Sequence, residues 1–216
     1  MGIRSIVFDF DGTLIDSNRL KYDAYFELFP EKDRHVRIIR DVLSESFEQT
    51  RYVILEKILR RLGVGNHTCM KREVSKLAEQ YNDIVIAGAK TCPEKAGAEE
   101  ALKKLAPLYR LYVSSTTPDA GLKEIIRFRK WDGYFRGVFG YPHKKPETLL
   151  RIIALEKLRS DEVLVVGDGE SDSEAAMKNG CPFVHVTEGF LFEQIDQILM
   201  TPIKNDTLLQ TRKATN

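Results

Sequence analysis

The sequence predicts an α/β fold in which a mainly parallel sheet carries helices on both faces and a helical bundle is inserted after the first strand. Short apolar runs of strand length alternate with amphipathic helical segments, which is typical of βαβ units. One long stretch, residues 17–90, shows helical periodicity only. With 216 residues, the chain can form a core and a smaller insert. We expect a core of residues 1–16 and 91–200, an insert of residues 17–90 and a polar tail of residues 201–216.

The first predicted strand ends in two carboxylates. Ile6, Val7, Phe8 and Phe10 form a β-branched and aromatic run that is stopped by Gly12, which predicts a buried parallel strand. Asp9 and Asp11 then lie at its carboxyl end, where ligands bind in open α/β sheets. Strand alternation places both carboxylates on one side. Two carboxylates about 4 Å apart repel by roughly 4 kcal/mol at an effective dielectric constant of about 20, so we expect a bound proton or a divalent cation.

Only helical periodicity follows, up to about residue 90. The predicted helices are Leu20–Phe29, Val36–Leu43, Phe47–Leu62 and Arg72–Ala87. Their apolar residues recur on one face of each helix, which favours a small bundle.

Strands and helices alternate in the rest of the chain. The predicted strands are Tyr109–Val113, Gly137–Gly140, Val163–Val166 and Phe183–Val186. The predicted helices are Glu94–Leu105, Asp119–Arg129, Pro146–Leu158, Ser171–Asn179 and Phe190–Leu199. Together with the first strand, this order predicts a parallel sheet of five strands covered on both faces.

Composition excludes several classes of protein. The 33 Lys and Arg residues nearly balance the 32 Asp and Glu residues, for a formal net charge of +1, so we expect neither nucleic acid nor an anionic membrane as a partner. Cys69, Cys92 and Cys181 lack metal-type spacing and suggest reduced thiols. Neither a signal peptide nor an apolar run of about 20 residues is recognisable. We expect a cytoplasmic enzyme that is a monomer or a homodimer.

Three later segments place polar residues where predicted strands end or helices begin. Ser114 closes the second strand, and Lys145 precedes Pro146 at a helix amino end, which favours anions. Asp168 follows the apolar run Val163–Val166, and Asp172 lies one helical turn later. Each has a structural alternative, because Ser and Asp also cap helices and Lys is common in exposed turns.

These segments resemble, in order, the four motifs of the haloacid dehalogenase-like (HAD) hydrolase superfamily. The first motif is matched by DFDGTL at residues 9–14, and the second by a hydroxyl residue, Ser114, at the end of an apolar strand. The third is matched by KKPE at residues 144–147, and the fourth by GDGESD at residues 167–172. The resemblance spans about residues 3–190 and implies a Rossmann-like α/β fold. The insert resembles the helical cap of the phosphoglycolate phosphatase and β-phosphoglucomutase branch.

The resemblance implies a Mg²⁺-dependent phosphatase for a small phosphate monoester such as a sugar phosphate or phosphoglycolate. Asp9 would form an aspartyl phosphate, and Asp11 would protonate the leaving alcohol and then deprotonate water. Ser114 and Lys145 would stabilise charge on the phosphoryl oxygens.

The resemblance also implies a magnesium site. Asp9, the backbone carbonyl of Asp11 and Asp168 would bind Mg²⁺, and Asp172 would orient metal-bound water.

Four further residues are candidates for substrate contact. Gly12 and Thr13 allow a sharp turn and offer N–H groups to an anion, as backbone nests do. The backbone N–H of Ser115, which follows Ser114, would bind a phosphoryl oxygen. Arg51 resembles the arginine with which sugar-phosphate members bind a distal anion, and its alternative is a solvated helix face.

Three other functions compete with phosphate ester hydrolysis. Dehalogenases of the superfamily lack the second aspartate, because halide leaves without a proton, so Asp11 favours phosphate. A phosphomutase shares all of these residues and differs in how the cap excludes water. The third alternative is a binding module that uses the same scaffold without catalysis. The presence of both Asp9 and Asp11 disfavours it.

Overall fold

The computed structural model describes residues 2–29, 33–46, 49–64, 67–195 and 199. It divides into two compact units. One unit is Ser17–Thr91, and the other contains the remaining described residues on either side of it. The predicted insert, residues 17–90, corresponds to the first of these units.

The larger unit contains a parallel sheet. Its strands are β1 (Ser5–Phe8), β2 (Arg110–Pro118), β3 (Gly137–Tyr141), β4 (Val163–Gly167) and β5 (Phe183–His185). Their order is β3-β2-β1-β4-β5, and every pairing is parallel. At the end of central β1, Phe8 lies opposite Val113 of β2 and Val166 of β4. The predicted Rossmann-like α/β fold is confirmed.

The smaller unit is helical throughout its described residues. Its helices are α1 (Asn18–Glu27), α2 (Asp33–Ser46), α3 (Arg51–Leu62) and α4 (His67–Ala89). Buried apolar residues from all four form one core, with Ile54, Leu55 and Ile58 of α3 at most 1% exposed. Residues 47 and 48, where the third helix was predicted to begin, lie outside the described residues. Helix α3 ends at Gly63, whose φ of 75° suits glycine.

Four helices flank the sheet within the described ranges. They are α5 (Ala98–Leu105), α6 (Asp119–Phe128), α7 (Lys145–Glu156) and α8 (Glu170–Asn179), with 3-10 turns at Asp132–Tyr134 and Ser160–Glu162. The prediction that α5 begins at Glu94 is wrong, because Glu94 pairs with Ile15 in an antiparallel bridge. Its Oε2 accepts a hydrogen bond from the N–H of Glu99 at 3.0 Å, so it caps the first turn from outside the helix.

Strand β2 is longer than predicted. The apolar pattern ends it at Val113, where its pairing with β1 also ends. Pairing with β3 continues from Ser114 opposite Phe139 to Pro118 opposite Tyr141, with a register shift between them. The sheet thus holds a run of hydroxyl residues in extended conformation beyond the end of β1.

The end of the chain is described only in part. Phe190 to residue 193 are not helical, Gln194 and Ile195 are, and most of the remaining predicted helix lies outside the described residues. The same holds for the predicted tail, residues 201–216. No described helix is both long enough and apolar enough to cross a membrane.

Candidate active site

Three carboxylates meet at the carboxyl edge of the sheet. Asp9 follows β1, Asp168 follows β4, and Asp172 lies in the first turn of α8. One carboxylate oxygen from each lies within 4.8 Å of the other two. The register explains the meeting, because Phe8 pairs with Val166 and the two strands therefore end side by side. These three residues, hereafter the acidic cluster, could hold a metal ion.

Lys145 binds two members of the acidic cluster. Its Nζ lies 3.0 Å from Asp9 Oδ1 and 2.8 Å from Asp172 Oδ1, and all three side chains are buried. Burial opposes the charge of the ammonium, but Asp9 and Asp172 outweigh it and raise the pKa of Lys145 above its ordinary value. Lys145 therefore stays protonated and supplies one positive charge to the cluster.

The acidic cluster carries more negative charge than Lys145 offsets. Burial, followed by the charges of Asp172, Asp11 and Asp168, raises the pKa of Asp9 to about 7, although Lys145 lowers it. In addition, Asp172 Oδ2 is buried and has no hydrogen-bond partner among the described residues. Three acids around the ammonium of Lys145, with a carboxylate oxygen that accepts no hydrogen bond from the described residues, fit a divalent cation with oxygen ligands.

A glycine allows Asp172 to approach β4. A Cβ atom at Gly167 would lie 2.4 Å from Cγ of Asp172, well inside van der Waals contact. Position 167, at the end of β4, therefore has to be a glycine for the carboxylate of Asp172 to occupy its place.

Thr13 fixes Asp168. Its hydroxyl donates to Asp168 Oδ1 at 3.1 Å and accepts from the Asp168 N–H at 3.1 Å. The side chain of Thr13 is fully buried. Contact of its N–H with substrate stays a prediction. His185, for which no role was predicted, also contacts Asp168, with Nε2 3.0 Å from its carbonyl oxygen.

The expected use of the Gly12 N–H is wrong. Instead of facing an anion, this N–H donates to the carbonyl oxygen of Ile15 at 2.9 Å. Leu14 and Ile15 both donate to the Phe10 carbonyl, so the turn itself uses these groups. Gly12 has a φ of 76°, which explains the glycine by conformation rather than by ligand contact.

The side chain of Asp11 lies outside the acidic cluster. Its Oδ2 accepts hydrogen bonds from Thr117 Oγ1 at 2.6 Å and from Ser115 Oγ at 3.4 Å. The hydroxyl of Ser115, a predicted substrate residue, is thus engaged with Asp11. Thr117 was not predicted, and its only signal in the sequence is the run of four hydroxyl residues, Ser114–Thr117, in which alternate residues share a side.

Ser114 faces the acidic cluster. Its Oγ is buried and has no hydrogen-bond partner in the part of the chain that the structure describes. It lines a small cavity together with Asp9, Lys145 and Asp172. A buried hydroxyl without a partner beside a carboxylate and an ammonium could donate to an oxygen of a bound ligand.

Arg51 belongs to the helical unit. It donates a hydrogen bond to Asn82 Oδ1, and its guanidinium carbon lies 6.0 Å from the ring centroid of Tyr81. Its contact with substrate stays a prediction.

A family model described as haloacid dehalogenase-like hydrolase matches residues 6–186. The chain belongs to this family. The matched region includes the acidic cluster, Lys145 and the whole helical unit. The resemblance predicted from the four motifs is therefore confirmed.

Curated relatives come from the phosphoglycolate phosphatase branch. The phosphoglycolate phosphatase of Photorhabdus laumondii is 26% identical over 196 residues, which cover 88% of this chain and 82% of the relative. The phosphoglycolate phosphatase of Salmonella typhi is 27% identical over 213 residues, which cover 89% of this chain and 84% of the relative. Among solved structures, the HAD-hydrolase YfnB from Bacillus subtilis bound to magnesium shares the fold, with a TM-score of 0.71 at 16% identity, covering 92% of this chain and 99% of that one.

Proposed function

We propose that this protein is a Mg²⁺-dependent phosphatase that hydrolyses a small phosphate monoester through an aspartyl phosphate on Asp9. Its family and its phosphatase relatives support a phosphoric monoester hydrolase. The observation that carries the mechanism is the convergence of Asp9, Asp168 and Asp172 with Lys145 at the carboxyl edge of the sheet.

The metal would bind at the acidic cluster. Asp9, Asp168 and Asp172 would hold Mg²⁺ together with the backbone carbonyl of Asp11, since oxygen ligands suit this ion. When bound, Mg²⁺ offsets negative charge on the cluster and on the phosphoryl oxygens.

Asp9 would be the nucleophile. Its carboxylate attacks phosphorus, a bond forms between Asp9 and the phosphoryl group, and the bond to the substrate oxygen breaks. Lys145, held by Asp9 and Asp172, carries a permanent positive charge next to this reaction. The hydroxyl of Ser114 would donate to a phosphoryl oxygen, and both contacts favour the charge of the transition state.

Asp11 would move the protons. It gives a proton to the departing alkoxide and then takes one from the water that attacks the aspartyl phosphate, which regenerates Asp9 and releases phosphate. Halide release needs no such proton, so a carboxyl group in this position supports an ester substrate over a haloacid.

The substrate is proposed from the relatives. Phosphoglycolate and sugar phosphates are the first candidates, as the curated relatives are phosphoglycolate phosphatases. We assign substrate selection to the helical unit, acting as a cap, with Arg51 as the candidate contact. We further infer a cytoplasmic enzyme that acts on a free metabolite.

Phosphate release from a panel of esters tests the proposal. The panel contains p-nitrophenyl phosphate, acetyl phosphate, phosphoglycolate and sugar phosphates, each with Mg²⁺ or with EDTA. We expect release that requires both Mg²⁺ and Asp9, so that Asp9→Asn abolishes it, whereas Asp132→Asn, at an exposed aspartate in a 3-10 turn, does not. A panel without Mg²⁺-dependent and Asp9-dependent release would favour a binding module, and interconversion of sugar phosphates primed by a bisphosphate would favour a mutase.

A further inference from the structure

We infer that Thr117 and Ser115 are positioning residues that hold the carboxylate of Asp11 for proton transfer and keep it out of the metal ligands. This inference rests on the proposed function. Two hydroxyls reach the same oxygen, Asp11 Oδ2, at 2.6 Å from Thr117 and 3.4 Å from Ser115. All three side chains are buried, so these contacts are shielded from bulk water.

The extension of β2 creates this pair of donors. Ser115 and Thr117 are two residues apart on the strand and both are buried, whereas Thr116 between them is exposed. Alternation in an extended strand gives this pattern. Because β1 stops pairing at Val113, the part of β2 beyond that point is placed beside the turn that carries Asp11.

The two hydroxyls also orient each other. The N–H of Thr117 donates to Ser115 Oγ at 3.1 Å, so the Ser115 oxygen already accepts one hydrogen bond. Its own proton is then directed to Asp11. The hydrogen bonds form a closed ring of Thr117, Ser115 and Asp11, built entirely within the α/β unit.

The hydrogen-bonded ring is important because the carboxylate of an aspartate rotates readily about χ2, whose values are broadly distributed. A divalent cation in the acidic cluster would attract the nearby Asp11 carboxylate as a further ligand. The two donors restrain that rotation. They leave Asp11 to serve the leaving oxygen and the attacking water, for which a general acid or base must approach within about 2.6–3.2 Å.

Replacement of Thr117 separates the two chemical steps. In Thr117→Val the shape is nearly kept and the donor is lost. p-Nitrophenolate leaves without a proton, so the first step on p-nitrophenyl phosphate should persist while hydrolysis of the aspartyl phosphate slows. We expect a burst of about one p-nitrophenol per chain, followed by a kcat reduced about 10- to 100-fold. KM should fall by a similar factor, because kcat/KM reports the first step, which persists.

Phosphoglycolate gives the complementary measurement if it is a substrate. Its alkoxide needs a proton in the first step as well, so Thr117→Val should show no accumulation of phosphorylated Asp9 and a loss of kcat at least as large.

Thr117→Ser, which keeps the hydroxyl, should restore most of the activity. Ser115→Ala should lose less than Thr117→Val, because its contact with Asp11 is longer.

Thr116→Val is the matched control, because it makes the same chemical change at the exposed position between the two donors. It should keep wild-type kcat and KM. The inference is overturned if Thr117→Val folds and keeps wild-type kcat, if it loses the burst together with turnover, or if Thr117→Ser fails to restore activity. Should Thr117→Val not fold, Ser115→Ala and Thr117→Ser decide by the same burst measurement. Failure of the proposed function appears separately, as a wild-type protein without Asp9-dependent phosphate release.

Discussion

Asp9 and Asp11 lie two residues apart in one turn, and each is 6% exposed, yet they occupy different environments. Asp9 faces the ammonium of Lys145 and the carboxylates of Asp168 and Asp172. Asp11 faces neutral hydroxyls from β2. Burial and residue type are the same, so the difference between the two proposed roles rests on the segments that the fold places beside each carboxylate: β4, α7 and α8 for Asp9, and β2 for Asp11.

Replacement of the two aspartates by asparagine should have the largest effects and tests the comparison directly. Asp9→Asn removes the nucleophile, so we expect turnover to fall by at least about 10⁴-fold with no phosphorylated protein. Asp11→Asn keeps the nucleophile and removes proton transfer, so turnover should fall about 10²- to 10⁴-fold. With p-nitrophenyl phosphate, mass spectrometry after acid quench should find phosphorylated Asp9 only in Asp11→Asn. Equal labelling in both variants would assign the nucleophile elsewhere.

Loss of the shared cation should affect the environment of Asp9 alone. In Lys145→Met, two buried carboxylates lose their ion pair, so we expect a loss of about 3–5 kcal/mol in the free energy of unfolding at neutral pH without metal. Urea denaturation in EDTA measures this loss. Lys144→Met is the matched control, since Lys144 is adjacent and exposed, and it should change stability by less than about 0.5 kcal/mol. A Lys145→Met protein as stable as the control would show that Lys145 does not stabilise the acidic cluster.

Loss of the Thr13 hydroxyl should weaken metal binding and leave the proposed proton transfer by Asp11 unchanged. Thr13→Val removes both hydrogen bonds to Asp168, so the Mg²⁺ concentration for half-maximal activity should rise about 10- to 100-fold, as for other residues that orient metal ligands. Turnover at saturating Mg²⁺ should change little. Titration of Mg²⁺ against phosphate release measures both, and Thr116→Val again serves as the control. A lower turnover with unchanged Mg²⁺ dependence would contradict this role.

Local patterns predicted the elements that carry the proposed chemistry. Apolar runs such as Val163–Val166 identify buried strands, and the polar residues that follow them mark the edge at which parallel strands end. The acidic residues of the four motifs could thus be assigned to one edge of one sheet. Contacts between distant segments were not predicted, as the hydrogen bonds of Thr13 with Asp168 show.

The order of strands and helices, the helical insert and the candidate acids could be predicted from residues 1–216 alone, because they depend on periodicity and on short motifs. Folding was needed to reveal that β2 continues past Val113 and brings Thr117 to Asp11. Folding also revealed that Lys145 binds Asp9 and Asp172 together. Such contacts depend on which strands are neighbours and on their register. Pairs such as Thr117 with Asp11 and Lys145 with Asp9, which lie 106 and 136 positions apart, carry no local signal of either.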